Sequence, residues 1–309
     1  MAQITAALVK ELRDKTGAGM MDAKKALSET DGDMEAAEDW LRTRLGVKAE
    51  KKAGKTAAEG LVAVAADGAT AAVVEVNSQT DFVARNTDFQ AMVADIAQVA
   101  LGVEGDVAAL NAAEVPSAGM SVEALVKDKV GTIGENMQVR RFDRLSVGQG
   151  AVASYVHNAA APGMGKIGVL CALESAGDTA KLLAFGKQLC MHIAATSPAS
   201  LDVSDLDPAA VAREKDVLTE QARASNKPEN VIEKMIVGRL NKFYQEVVLV
   251  KQTFVVDPEF TVEKAVAAAA KDVGADIKIA GFVRLEVGEG VEVEEVDFAA
   301  EVAAQTKQS

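Results

Sequence analysis

The chain has 309 residues, a formal net charge of −13 and a sequence pI near 4.8. At 49% hydrophobic and 26% charged it can bury a core across about two or three domains, and with 4% aromatics Ala, Val and Leu must do the packing. The negative field repels a nucleic-acid backbone and no basic stripe with interleaved aromatics offsets it, so the expected partner is a protein, with no nucleic acid. Cys171 and Cys190 lack a C-x-x-C neighbour and sit in apolar company. Buried thiols in a reduced cytosolic compartment fit that pattern. No leader pattern and no apolar run of spanning length is found, so a cytoplasmic protein without membrane contact is expected.

Residues 1 to 46 read as three short helices. Ile4, Leu8 and Leu12 mark one face of the first, with Thr5 or Gln3 near its cap. Thr16-Gly17-Ala18-Gly19 breaks it, Met21 to Leu27 form the second, and Met34, Ala37, Trp40, Leu41 and Leu45 mark a third that ends at Gly46. Met20 and Met21 follow two glycines; helical neighbours point about 100° apart, which argues against both being core. Either one packs inside and the other is incidentally exposed, or the pair is a soft apolar contact for a partner. Residues 47 to 59 are basic and aperiodic and read as a linker. Ala49-x-x-x-x-Gly54-Lys55-Thr56 approaches a phosphate loop, but it lacks the first glycine and the preceding strand, so that reading is rejected.

From Gly60 the pattern changes to strands. Leu61 to Val64, an Asp67-Gly68 turn and Ala71 to Val76 predict a hairpin. A polar turn, Asn77-Ser78-Gln79, leads to Thr80-Asp81-Phe82-Val83 and then to a helix marked by Phe89, Met92, Val93, Ile96 and Val99. On one reading Thr80 and Asp81 cap that helix with Phe82 packed underneath. On the other, Asp81 and Phe82 form a projecting acid-plus-aromatic tip. Residues 102 to 120 are weakly patterned. A helix from Val122 to Ile133 stops at Gly134-Glu135-Asn136, and Met137 to Phe142 read as a strand.

Arg144-Leu145-Ser146-Val147-Gly148-Gln149-Gly150 matches Arg284-Leu285-Glu286-Val287-Gly288-Glu289-Gly290, with Phe142 and Phe282 two residues before each Arg. Ala153 to Glu174 reads as a second hairpin, followed by a helix with Leu182, Leu183, Phe185, Leu189 and Ile193. Two similar α+β units are therefore expected. Gly163-Met164-Gly165-Lys166-Ile167-Gly168 fits G-x-G-x-x-G, but a strand rather than a helix follows, so the glycines read as turn residues. Residues 205 to 250 carry two helical arms joined at Asn226-Lys227-Pro228. That hairpin either packs back on the sheet or serves self-association or a partner. Phe298 to Ala304 read as a short amphipathic helix. His157 and His192 are too sparse for a metal site, and a Cys190–His192 nucleophile pair has no supporting signature.

Six stretches carry a family resemblance. ITAALVKELRDKTGAGMMDAKKAL resembles the amino-terminal module of bacterial translation elongation factor Ts, and VNSQTDFVARN resembles that family's core signature. IGENMQVRR, MHIAATSP, GFVRLEVGEG and DFAAEVAAQTKQS follow in the family's order. The resemblance implies an α+β protein: a three-helix, UBA-like module (1–54), core subdomain N (55–149), core subdomain C (150–204 and 251–291), a helical-hairpin insert (205–250) and a carboxy-terminal helical module (292–309). It further implies a guanine nucleotide exchange factor for elongation factor Tu, with no cofactor, no nucleotide of its own and no bond-making chemistry. Carried over by motif, Thr80, Asp81, Phe82 and Val83 would intrude near the GTPase's magnesium and phosphates. Leu12, Arg13, Met20 and Met21 would meet its nucleotide domain, and Ile133, Gly134 and His157 are weaker contacts. Some members dimerise through the hairpin. The competing reading is a translation-linked scaffold or chaperone-like binder without exchange activity.

Overall fold

The computed structural model describes residues 4–224 and 228–292. The expected carboxy-terminal helix and the Asn226-Lys227 part of the hairpin turn lie outside the described residues.

Helices α1 (Ala6–Thr16), α2 (Met20–Glu29) and α3 (Met34–Lys52) form the opening module. Thr5 Oγ1 accepts the Leu8 N–H at 3.3 Å and so caps α1. Leu12, Leu27, Ala37 and Leu41 fill the space between the helices. The sequence-based end of α3 at Gly46 is corrected: the helix continues to Lys52. Gly46 is exposed with open space around it, so it costs only about 1 kcal/mol. The Ala, Lys and Glu residues beyond it are good helix formers.

The core begins with β1 (Glu59–Asp67), β2 (Thr70–Ser78), α4 (Thr87–Ala100), α5 (Val107–Ala112), β3 (Glu114–Val115), β4 (Met120–Ser121), α6 (Val122–Ile133) and β5 (Met137–Ser146). It continues with β6 (Gly150–His157), β7 (Met164–Gly165), β8 (Ile167–Glu174), α7 (Thr179–Thr196), α8 (Pro208–Arg223), α9 (Glu229–Val247), α10 (Val262–Val273) and β9 (Lys278–Glu286). One sheet has the order β5-β2-β1-β7 and another the order β6-β8-β9; β3 and β4 pair separately.

These two sheets lie face to face. Leu61, Ala63, Val74 and Val76 point outward to Phe89, Met92 and Ile96 of α4 and to α6. The intervening residues Val62, Ala71 and Val73 point inward to Val152, Leu170 and Ala172 of the other sheet. On that sheet Val169, Cys171 and Leu173 face α7 and α10. Both faces of the central strands are thus covered, which is why they read as continuous apolar runs. Gly168 sits where a Cβ would come within 2.5 Å of Val62 Cγ1, and Gly163 takes φ 72° in the turn before β7. The glycines of the G-x-G-x-x-G match therefore serve a turn and the close approach of two sheets.

The two units repeat in detail. Gly60 (φ 126°) and Gly150 (φ 129°) open β1 and β6, each with its Cα pressed against the neighbouring strand; a Cβ would lie 2.2 Å from Val76 O and 2.0 Å from Leu173 O respectively. Each neighbour, β2 or β8, shifts register opposite its closing strand at the same place, between Glu75 and Val76 and between Ala172 and Leu173. Gly134 and Gly274 end α6 and α10 in left-handed conformation. One contrast stands out: residues 79–86 join β2 to α4, whereas the shorter 175–178 join β8 to α7.

A buried carboxylate binds the units at their seam. Glu75 is fully buried and accepts from Arg140 Nη1 at 3.1 Å, Asn77 Nδ2 at 3.0 Å and the Gly288 N–H at 2.8 Å, with Arg141 Nε also in contact. Arg141 Nη2 donates to Glu286 O at 2.6 Å and Arg140 Nη2 to Glu289 O at 2.7 Å. Removing one member of such a buried set strands the others, at roughly 3–5 kcal/mol.

Helices α8 and α9 pack mainly on each other, so the packed-back reading of the insert is not what forms. Leu218, Ala222 and Ile232 are buried between them, while Val217, Val231 and Val237 are exposed.

His192 on α7 is buried, with Nε2 2.9 Å from Gln252 Oε1. Its Nδ1 accepts the Val255 N–H at 3.2 Å, so Nε2 carries the proton of a neutral ring. Burial lowers its pKa from the ordinary 6.5, partly offset by Gln252. The unfolded chain then binds this proton at higher pH than the folded one. Stability from His192 is therefore complete above about 6.5 and lost as pH falls through that value toward the depressed folded pKa. Thermal melts between pH 7 and pH 5 should show falling stability, with a shallower fall in His192→Gln.

Candidate partner-binding site

The loop after β2 is built to display two side chains. Thr80 donates its N–H to Glu135 Oε2 at 3.0 Å and its Oγ1 hydrogen to Glu135 Oε1 at 2.7 Å. Its carbonyl accepts from Ser78 Oγ at 3.0 Å. Val83 and Ala84 then turn inward and join the α4–α6 core. The Arg85 N–H returns to Phe82 O at 3.1 Å and the Asn86 N–H to Val83 O at 2.9 Å, closing a 3-10 turn. Gln90 Nε2 holds Ala84 O at 2.9 Å. Between these anchors Asp81 and Phe82 stand in solvent, and Phe82 is 73% exposed.

This decides between the two sequence readings of the loop. The cap of α4 is Asn86, whose Oδ1 accepts the N–H of Asp88 at 2.8 Å and of Phe89 at 3.2 Å. Thr80 and Asp81 do not cap it, and the residue packed underneath is Val83, not Phe82. Asp81 pairs with Arg85 at 3.6 Å, both well exposed, an interaction worth little. In the other unit Asp178 caps α7 directly after a short connection. The longer loop of the first unit is therefore an addition to the shared plan, and its extra length carries an aromatic into solvent.

Of the other expected contact residues, Ile133 and Gly134 lie at the carboxy-terminal end of α6. Ile133 is half-buried, and Gly134 takes φ 88° with open space on its Cβ side. A Cβ on Gly17 would lie 3.8 Å from Thr132 Cγ2, which puts the loop before α2 beside the same helix end. One turn earlier a Cβ on Gly131 would come within 2.7 Å of Leu45 Cβ, so α3 and α6 cross almost backbone to backbone. At the start of α2, Met20 is 48% and Met21 77% exposed; both face solvent, which rules out the core reading for the pair. Arg13 is partly exposed and donates from Nε to Asp14 Oδ1 at 2.9 Å. Leu12, by contrast, is fully buried and can support the surface only from beneath.

His157 is exposed at the end of β6, with Nδ1 3.1 Å from Tyr155 OH. The Lys166 N–H bonds His157 O at 3.2 Å, and Lys166 Nζ reaches Glu59 Oε2 at 2.7 Å. Glu59 pairs with Ser78, so His157 is linked through β1 to the root of the displayed loop.

Glu135 escaped the sequence reading, which gave it only a part in stopping a helix. Its partner is 55 positions away, and no local pattern announces such a pairing. The Cys190–His192 alternative fails on geometry. Cys190 Sγ approaches Ala153 O at 3.5 Å, while both ring nitrogens of His192 are engaged elsewhere. Hydrogen bonding with Cys171, then burial, pushes the Cys190 thiol up, away from thiolate character. Among the described residues no group of His, Cys, Asp and Glu is placed to hold a metal ion, and no helix is long and apolar enough to cross a membrane.

A family model for Elongation factor TS matches residues 79–289. Proteins named Elongation factor Ts from Parvibaculum lavamentivorans and Sinorhizobium medicae are each 59% identical to this chain, over 99% and 98% of it and 100% and 99% of their own lengths. The chain belongs to the elongation factor Ts family. The name places it among translation elongation factors. The Elongation factor TS match begins at Gln79, at the root of the displayed loop, and ends at Glu289, in the seam cluster around Glu75.

Proposed function

We propose that this chain binds elongation factor Tu carrying GDP and speeds GDP release, so that GTP can load. The observation that carries the reading is Phe82, an aromatic held out at 73% exposure by a loop anchored on both sides. Burying such a side chain in a partner is worth about 1.5–3 kcal/mol, and exposed aromatics of this kind are typical binding hot spots. Asp81 beside it carries negative charge toward a site where Mg²⁺ is the largest local charge and holds phosphate oxygens. A tip that displaces the ion or its supporting loops weakens the nucleotide. Linkage makes the effect reciprocal: what the factor costs GDP, GDP costs the factor, typically ~1–3 kcal/mol.

Thr80 and Val83 act as the tip's supports, since one is clamped and the other buried. Met20, Met21 and Arg13 give a separate contact on the nucleotide domain, with Leu12 as the packing below. Ile133, Gly134 and His157 are peripheral contacts. The factor makes and breaks no covalent bond and holds no nucleotide, cofactor or metal of its own. It works in the cytoplasm.

Two outcomes check this in a fluorescent-GDP release assay with elongation factor Tu. Phe82→Ala should slow release by roughly 10- to 100-fold, the loss of about 1.4–2.8 kcal/mol, with an unchanged melt. Normal release would remove the tip from the mechanism, and a wild-type chain that speeds nothing would favour the scaffold reading. Met20→Ala with Met21→Ala should instead raise the concentration needed for half-maximal release.

Self-association through 205–250 has its own support in Val217, Val231 and Val237, exposed on a two-helix arm with a thin core. Light scattering should then read twice the 32.2 kDa chain mass, falling to one chain mass in Val237→Asp. A single-chain mass in the wild type refutes the dimer.

A further inference from the structure

We propose that Glu135 is the positioning residue of the exchange tip: its carboxylate sets where Asp81 and Phe82 stand. The inference rests on the exchange reading above and adds to it a residue that touches neither the partner nor the nucleotide.

Thr80 immediately precedes the tip, and Glu135 holds it by two bonds at once, 3.0 Å to the N–H and 2.7 Å to Oγ1. Hydrogen bonds to a carboxylate are among the strong ones, and a bidentate grip fixes direction as well as distance. Beyond the tip, burial of Val83 and the Gln90–Ala84 bond form the second anchor. The two exposed residues thus span a short bridge with a fixed end on either side. Without Glu135, that end keeps only the Ser78 Oγ bond to Thr80 O, and the bridge loosens toward a flap hinged at Val83. A flap must be ordered at the moment of contact, whereas a preorganised tip is not charged that entropy.

Glu135 is itself well placed to serve as a fixed point. It follows the left-handed Gly134 that ends α6, and it precedes Asn136, whose Nδ2 donates to Lys55 O at 2.7 Å and lies 3.4 Å from Ala53 O. Successive residues of one corner therefore grip the tip and the chain leaving α3. The corner relates the methionine surface to the Phe82 surface, so both can meet one partner in a defined geometry.

The full-length chain provides the test, in two independent readings. Hydrogen exchange, with no partner present, should show the Thr80 amide protected in the wild type and at least tenfold less protected in Glu135→Ala. GDP release from elongation factor Tu, titrated in factor concentration, should show a maximal rate lowered roughly tenfold with a nearly unchanged half-saturating concentration, as expected for the loss of about one strong hydrogen bond. Glu135→Gln, which keeps one acceptor oxygen, should fall between. Thr80→Val removes the side-chain half of the grip from the other partner and should act like a partial Glu135→Ala, which covers the case of a poorly folding Glu135 variant. In a background with both tip side chains removed, Asp81→Ala with Phe82→Ala, Glu135→Ala should add no further slowing, because it acts only through the tip.

Unchanged Thr80 protection in Glu135→Ala overturns the inference whatever the release rates are. So does a Phe82→Ala variant that is slow beside a Glu135→Ala variant that is fast, or further slowing by Glu135→Ala in the background that lacks both tip side chains. A wild-type chain that does not speed release overturns the exchange reading itself, and the exchange data then still report separately whether Glu135 holds the loop.

Discussion

Face-to-face packing of the two sheets is the constraint from which the rest of the molecule follows. Val62, Ala71 and Val73 meet Val152, Leu170 and Ala172 across an apolar interface. The helices have nowhere to go except the outer faces, where α4 and α6 cover one sheet and α7 and α10 the other. Polar backbone at the strand ends must then turn at the rims, and the displayed loop is such a rim. The buried Glu75, with Arg140, Arg141 and Gly288, ties β2 and β5 to the chain just after β9. A carboxylate with no exposed surface tolerates little sliding, because any shift breaks hydrogen bonds that cannot be replaced by water.

Duplication lets this rim be compared with its counterpart in the other unit. The two units share opening glycines, register shifts and helix-ending glycines at corresponding places. In one unit the strand-to-helix step is short and capped at once by Asp178. In the other the same step is long, capped later by Asn86, and lifts Phe82 into water. The stability of the shared plan lies in the sheets and helices, so the longer loop does not threaten it. What the loop needs is a brace, and the corner at Gly134-Glu135-Asn136 provides one that also secures the exit of α3.

Much of this could be read from residue order alone. The hairpin from Leu61 to Val76, the α6 stop at Gly134, and the Phe142 and Phe282 repeat all rest on local periodicity or on self-similarity, and each formed. The three-helix opening was legible for the same reason, apart from the run of α3 past Gly46, where an exposed glycine was too weak a breaker. Two expected contact residues, Leu12 and Val83, proved to be core. A motif marks which stretch matters without saying which of its side chains face outward. The bonds between Glu135 and Thr80, and between Glu75 and Gly288, were invisible beforehand. Polar pairs across 55 and 213 positions leave no periodic trace.

The proposed exchange requires contact: the Phe82 ring must enter the nucleotide region of the GTPase and compete there with GDP. A photoreactive benzophenone side chain at position 82 of the full-length chain tests it directly. Irradiation with nucleotide-free elongation factor Tu should give one dominant cross-link, mapped by mass spectrometry to the partner's magnesium- and phosphate-binding loops and suppressed by excess GDP with Mg²⁺. A cross-link that maps elsewhere on the partner, or one of equal yield with GDP present, would contradict the account.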